Sequence, residues 1–377
     1  MKNCNKCLLP QTHETITYDE QGVCSICRQI DAKKTKIDWA QRKAWLSELV
    51  GKYKNHGLYD CIVPFSGGKD SAFQLYFIVR ELNLKPLVVR YDHWGFRPLV
   101  DENNENVFKT LGVDVLKFTP NWKLVKALML EALKQTGDFC WHCHTGIYSH
   151  TAHIAVKYSI PLVFWGESPA EYTSYASLED VQTLSREFFD NNISLGISAN
   201  QMREYLDGKF DERDLYLFEY PPKTELDELG YMPVYLGNYI KWDTKKHVEI
   251  IKRELGWKGQ EVEGIPPEYD YEKIECKWQG VRDYCKYIKR GYGRTSHLAA
   301  IDIRHDRLTT EQGRILIEKY DGKRPETLDR FLEILEISED EFYEIMKRHE
   351  VAPWSFKASD VEHGDVLHDM DSWNRKV

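Results

Sequence analysis

A doubly wound parallel α/β sheet is the predicted fold class, with a cysteine-rich unit before it and a helical region after it. Three observations predict this. Apolar, β-branched runs alternate with stretches of helical apolar spacing between Tyr59 and Glu167, as strands do when helices return the chain across a parallel sheet. The first run ends in Ser66-Gly67-Gly68-Lys69-Asp70-Ser71, directly before a helical pattern. Ahead of both stand two C-x-x-C pairs.

Cys4-x-x-Cys7 and Cys24-x-x-Cys27, sixteen residues apart, have the spacing of a Cys4 zinc ribbon, in which four thiolates close a tetrahedron. Too few apolar residues surround them for a core, so residues 1–35 depend on Zn²⁺ to fold. The alternative, a reactive dithiol, fits a single C-x-x-C better than a pair. Residues 33–54 carry Trp39, Trp45 and Leu46 at helical spacing and predict one helix. Tyr59–Phe65 predicts the first strand, and residues 72–82 the helix behind the loop.

At that junction the loop offers helix N–H groups and the macrodipole's positive end to an anion. Gly67 and Gly68 permit close backbone approach, and Ser66 and Ser71 add hydroxyl donors. Lys69 supplies a point charge, and Asp70 suits a Mg²⁺ bridging phosphate oxygens. The loop is too short for a Walker motif.

Further strands are predicted over 85–92, 113–118 and 160–167, with helices over 103–111 and 124–135 and another ending at 158. Ligands of such sheets bind beyond the strand C-termini, which makes Asp92, Gly166 and Glu167 candidate neighbours of the loop. Phe139-Cys140-Trp141-His142-Cys143-His144 adds a third C-x-x-C before a helix start near Thr145. Cys140 and Cys143, flanked by His142 and His144, are candidates for a metal or catalytic site, and buried structural thiols are the alternative.

Residues 172–214 are polar, with Ser174, Ser177, Ser185, Asn191, Asn192 and Ser198, and predict an irregular insert serving as a substrate lid or an ordinary surface excursion. An amphipathic helix follows over 246–255. Residues 284–297 interleave cations, aromatics and glycines, which suits a nucleic acid or the acidic part of a nucleotide sugar. Residues 309–348 read as helical. The expected division is therefore 1–35, 36–220 and 221–377.

The chain has 51 Lys and Arg against 60 Asp and Glu, a net charge of −9, which argues against nucleic acid as the main partner. Hydrophobic content of 42% and charged content of 29% are ordinary for a globular protein. No apolar stretch approaches the ~18 residues of a membrane span and no signal-peptide core is evident, so a cytoplasmic location without membrane insertion is expected. Nine cysteines in that setting point to metal ligands or thiols rather than disulfides.

The Ser66–Ser71 loop resembles the S-G-G-x-D-S loop of the PP-loop ATP pyrophosphatases, which cleave ATP between its α- and β-phosphates. Longer strings resemble one branch of them, the N-acetyl sugar amidotransferases of bacterial surface-polysaccharide biosynthesis, including lipopolysaccharide. These strings are Pro64–Ser71, Cys140–Gly146, Pro161–Glu167, Trp242–Lys246, Glu263–Tyr271, Gln279–Tyr284 and Ile288–Thr295. The resemblance implies conversion of a sugar N-acetyl group to an acetamidino group through an O-adenylyl imidate. It implies ATP and Mg²⁺ at Ser66–Ser71, with Lys69, Asp70 and Glu167 catalytic, and ammonia from a separate glutaminase and channel partner. Lys289, Arg290 and Arg294 become candidates for the acidic or nucleotide part of the sugar. A tRNA sulfur transferase with an iron–sulfur cluster on Cys140, Cys143 and Cys276 is the alternative that shares the ribbon, loop and third C-x-x-C.

Overall fold

The computed structural model describes residues 1–168 and 184–364. The ribbon leads into α1 (Ser25–Lys36), followed by α2 (Trp39–Tyr53). The single helix expected over 33–54 is thus divided. Ile37 is extended, and Asp38 caps α2 by accepting from the N–H groups of Ala40 and Gln41, as an N-cap aspartate does.

Five strands form one parallel sheet: β1 (Cys61–Pro64), β2 (Pro86–Tyr91), β3 (Asp114–Phe118), β4 (Leu162–Trp165) and β5 (Met232–Tyr235). Their order is β3-β2-β1-β4-β5. The first four lie in the expected runs. β5 does not, because four residues containing a proline carry little strand signal; Pro233 is accommodated because β5 is an edge strand. It pairs with β4 from Leu162↔Met232 to Trp165↔Tyr235.

The crossovers are α3 (Lys69–Tyr76), α4 (Pro98–Leu111), α5 (Trp122–Thr136) and α6 (Trp141–Tyr158). Neighbouring strand residues point to opposite faces. Val63, Val88, Phe164 and Val234 pack with Ala72 and Phe73 of α3, Val107 of α4 and Ile251 of the helix Thr244–Leu255. Ile62, Leu87, Val89 and Val163 pack with Ala152 and Ala155 of α6. Both faces of β1, β2 and β4 are covered, which explains their mostly apolar runs, whereas the edge strand β3 is mostly exposed.

α6 begins at Trp141, earlier than the expected start near Thr145, so Cys143 and His144 lie in its first turn. The insert is not an irregular polar excursion where it is described. Leu184, Ile197, Met202 and Leu206 are buried, and Trp141 Nε1 donates to the Ile197 carbonyl at 2.9 Å. The portion with Ser174 and Ser177 lies outside the described residues. β5 and the helix Thr244–Leu255 are built into the sheet unit, so the expected division at 220 falls inside it.

The C-terminal region is helical as expected, with helices Gln279–Arg290, Arg294–Arg304, Thr310–Tyr320, Thr327–Leu335 and Glu339–Lys347. Val281, Tyr284, Phe331 and Phe342 share a core with Val125 and Met129 of α5. The ribbon docks on this region: Arg290 Nη1 donates to the Thr12 carbonyl at 2.6 Å, and Tyr292 OH donates to Glu14. Among the described residues no helix is long and apolar enough to cross a membrane.

Candidate nucleotide and substrate site

β1 is flanked by β2 on one side and β4 on the other, so the sheet's topological switch point lies between β1 and β4, where such folds bind ligands. The Ser66–Ser71 loop follows β1, and Gly166 and Glu167 follow β4. Two cavities of about 300 Å³ each meet there. One is lined by Ser66, Ser71, Gly166, Tyr148, Trp165 and the three cysteines Cys140, Cys143 and Cys276. The other is lined by Lys69, Lys286, Arg294 and His297, with His13 and Glu14 of the ribbon on its wall. Asp70, Glu167 and Lys273 line both.

The loop is held by its own hydroxyls. Ser71 Oγ accepts from the Gly67 N–H at 3.1 Å and donates to the Gly68 carbonyl at 3.0 Å, and Ser66 Oγ accepts from the Gly68 N–H at 3.3 Å. Gly67 has φ +92°, and a Cβ there would come within 2.4 Å of Asn104 Oδ1, so only glycine fits. Gly68 caps α3 without a side-chain hydrogen bond, which leaves the helix start suited to an anion.

Lys69 is buried and its ammonium lies 2.8 Å from both Asp70 Oδ2 and Glu272 Oε2. Burial opposes its charge, but Asp70, Glu272, Glu275 and Glu167 outweigh burial and hold its pKa well above the ordinary lysine value. The same balance works on Glu272: burial favours the acid, but Lys69, Lys273 and Arg294 bring its pKa down to about 2. Asp70 Oδ1 is buried and has no hydrogen-bond partner among the described residues. This orphan carboxylate oxygen is a donor of the kind Mg²⁺ takes; Glu167 and Glu275 line the same cavity, but the three carboxylates do not all lie within 4.8 Å of one another.

Not every expected residue meets the cavities. Asp92 accepts from the Trp94 N–H at 2.9 Å and pairs with Lys117 at 2.7 Å, which commits it to its own loop. Lys289 donates to the Thr136 carbonyl at 3.2 Å, and Arg290 is committed to Thr12 and Glu14. Arg294 lines the second cavity, with Asp283 at 3.2 Å. Glu272, Lys273, Glu275 and Lys286 escaped the sequence reading. A helical wheel would have found Lys286, because it precedes Arg290 by four residues and shares its face.

Cys140, Cys143 and Cys276 do come together at one cavity. Burial pushes the Cys276 thiol up to about 11, and burial lowers His144 to about 3, so both are neutral near pH 7. Among the described residues, though, the one set of three or more ligand atoms lying within 4.8 Å of one another is Cys4, Cys7, Cys24 and Cys27. Cys7 Sγ and Cys24 Sγ are 3.6 Å apart, close to the ~3.8 Å edge of a tetrahedron with metal–sulfur bonds of ~2.3 Å. All four are buried, and the set fits a structural metal ion.

Residues 263–368 match the family described as LPS biosynthesis protein WbpG-like, C-terminal domain. This supports the resemblance to surface-glycan enzymes drawn from the C-terminal strings. The uncharacterized protein MJ1599 of Methanocaldococcus jannaschii is 28% identical over 142 residues, 37% of this chain. The chain spans about half the length of that curated relative.

Three of the similar solved structures illustrate the low level of the likeness. The U34-tRNA thiolase NcsA of Methanococcus maripaludis, with its [4Fe-4S] cluster, has a TM-score of 0.36 at 14% identity, over 88% of this chain and 89% of that one. NMN synthetase of Francisella tularensis has 0.29 at 12%, over 71% and 92%. The NH3-dependent NAD synthetase of Campylobacter jejuni has 0.29 at 12%, over 55% and 99%. Likeness at this level carries no argument about chemistry.

Proposed function

From a C-terminal region that falls in the WbpG-like family of LPS biosynthesis proteins, we propose that this chain is an ATP-dependent amidotransferase of surface-glycan biosynthesis. It converts a sugar N-acetyl group to an acetamidino group. The observation that carries the reading is the confluence of two cavities at the Ser66–Ser71 loop, sharing Asp70, Glu167 and Lys273. A reaction joining a nucleotide to a second substrate needs two compartments that meet at the transferred phosphorus.

An amide oxygen is a poor leaving group. Its attack on the α-phosphorus of ATP breaks the α–β P–O bond, and pyrophosphate leaves with the bonding pair. The resulting O-adenylyl imidate is attacked at carbon by ammonia. The C–O bond then breaks onto AMP, one proton is released, and the amidinium product remains. The loop amides and Lys69 stabilise charge on the phosphates. Asp70, through its orphan Oδ1, would hold Mg²⁺, which would further neutralise the phosphates when bound. The charged second cavity, with Lys286 and Arg294 in its wall, takes an acidic or nucleotide-activated sugar. The ribbon holds Zn²⁺ and completes that wall through His13 and Glu14. Ammonia comes from a separate glutaminase and channel partner, and the enzyme works in the cytoplasm, where ATP is available.

The test is an anaerobic turnover assay with ATP, Mg²⁺, high ammonium and a panel of nucleotide-activated N-acetyl sugars, read by mass spectrometry. Loss of about one mass unit from one sugar (oxygen replaced by NH) with AMP and pyrophosphate is expected. Silence across the panel overturns the proposal. The placement of Cys140, Cys143 and Cys276 on the nucleotide cavity favours sulfur transfer to tRNA as a second reading. That reading requires iron and sulfide in anaerobically purified protein, and AMP formation only with tRNA and a sulfur source.

A further inference from the structure

The turn from Glu272 to Cys276, in the C-terminal region, lies across the loop that follows β1. Glu272 pairs with Lys69 at 2.8 Å, and a Cβ on Gly68 would come within 2.6 Å of Glu275 Oε2. Lys273 lies between them and is the only cation among the three described residues that line both cavities. Its backbone is left-handed, with φ +55°, a conformation that L side chains rarely adopt.

The other cations that line the second cavity among the described residues are committed. Lys69 is held by Asp70 and Glu272, Lys245 by Asp302 at 2.6 Å, and Arg307 by Asp243 at 2.7 Å. Arg294 is held by Asp283 at 3.2 Å, and Lys286 faces Glu14 at 3.8 Å. Lys273 makes no side-chain hydrogen bond or ion pair with any described residue. Its two companions at the junction, Asp70 and Glu167, are carboxylates that repel a phosphate, and the Lys69 ammonium near them is already paired with Asp70 and Glu272.

We propose that the Lys273 ammonium contacts the α-phosphate of the bound nucleotide and is a catalytic residue of the adenylyl transfer. In-line displacement places the acceptor oxygen and the departing pyrophosphate on opposite sides of the α-phosphorus, so that atom lies where the two cavities join. The inference rests on the nucleotide half of the proposed function and is independent of which acceptor fills the second cavity.

The test compares AMP with adenosine by calorimetry on the full, metal-loaded chain, as wild type, Lys273→Met, Lys273→Arg and Lys273→Gly. Wild type is expected to bind AMP more tightly than adenosine. Lys273→Met should lose about tenfold in AMP affinity, the worth of one charge-assisted contact, with adenosine affinity within about twofold, and Lys273→Arg should recover part of the loss. Lys273→Gly should show the same selective loss with an undiminished melting temperature, since glycine relieves the backbone. An AMP-to-adenosine ratio unchanged in Lys273→Met overturns the assignment. Wild-type protein that binds neither ligand overturns the nucleotide reading and the role of Lys273 with it. Selective AMP loss in a protein that amidinates no sugar supports Lys273 and removes only the acceptor half of the proposed function.

Discussion

Replacing Glu272 by Gln tests the charge arrangement under the Ser66–Ser71 loop. Glu272 is 5% exposed, and its partner Lys69 is 7% exposed. Lys69, Lys273 and Arg294 overcome the burial of the carboxyl and bring its pKa from 4.5 to about 2. At about 1.4 kcal/mol per tenfold, that difference contributes about 3 kcal/mol to folding at pH 7. Breaking a buried ion pair from one side commonly costs about 3–5 kcal/mol, so the two routes agree.

The sign follows from the depressed folded-state value. The contribution is complete above pH 4.5 and is lost as the pH falls through about 2. Near pH 3.5 roughly 2 kcal/mol should remain. With an unfolding entropy of about 2 cal/mol/K per residue, a cooperative transition of the whole chain would shift its midpoint by about 4 °C. The assay is calorimetric or circular-dichroism melting of wild type and Glu272→Gln at pH 7, 5 and 3.5. A gap of about 4 °C at pH 7 that narrows at pH 3.5 is expected. Equal midpoints at pH 7, or a gap that widens on acidification, would refute the reasoning.

Two more predictions separate the chemistry from the scaffold. Asp70→Asn removes a carboxylate whose Oδ1 is buried and has no hydrogen-bond partner among the described residues; AMP formation should fall by at least about 10²-fold, while bound ribbon metal, measured by elemental analysis, stays at the wild-type level. Turnover within threefold of wild type would remove Asp70 from the mechanism. Stripping the ribbon metal with a chelator should undo the fold of residues around Cys4, Cys7, Cys24 and Cys27, since these cysteines make up half of the small core there. His13 and Glu14 then leave the wall of the second cavity, so KM for the sugar should rise at least about tenfold. AMP affinity should stay within twofold, because no ribbon residue lines the nucleotide cavity. Parallel loss of both affinities would show that the ribbon supports the whole fold rather than one wall.

The amino-acid sequence by itself determined the features whose physics is local. Four cysteines at ribbon spacing, a glycine pair between a β-branched run and a helix, and alternating periodicities each specify their structure over a few residues. The ribbon, the loop, four strands and the sheet class were legible for that reason. Tertiary structure decided what depends on distant partners. β5 is a strand because β4 offers it an edge, not because Met232-Pro233-Val234-Tyr235 favours one. Lys289 and Arg290 are a basic pair in sequence, but they meet the Thr136 carbonyl, Thr12 and Glu14, whereas Arg294, one helix later, reaches the cavity. Asp92 sits at a strand tip, yet Lys117 on β3 claims it. Glu272, Lys273 and Glu275 lie about two hundred residues from the loop they cover. No periodicity or motif spacing links them to it, because their juxtaposition arises only when the C-terminal region packs against the switch point of the sheet.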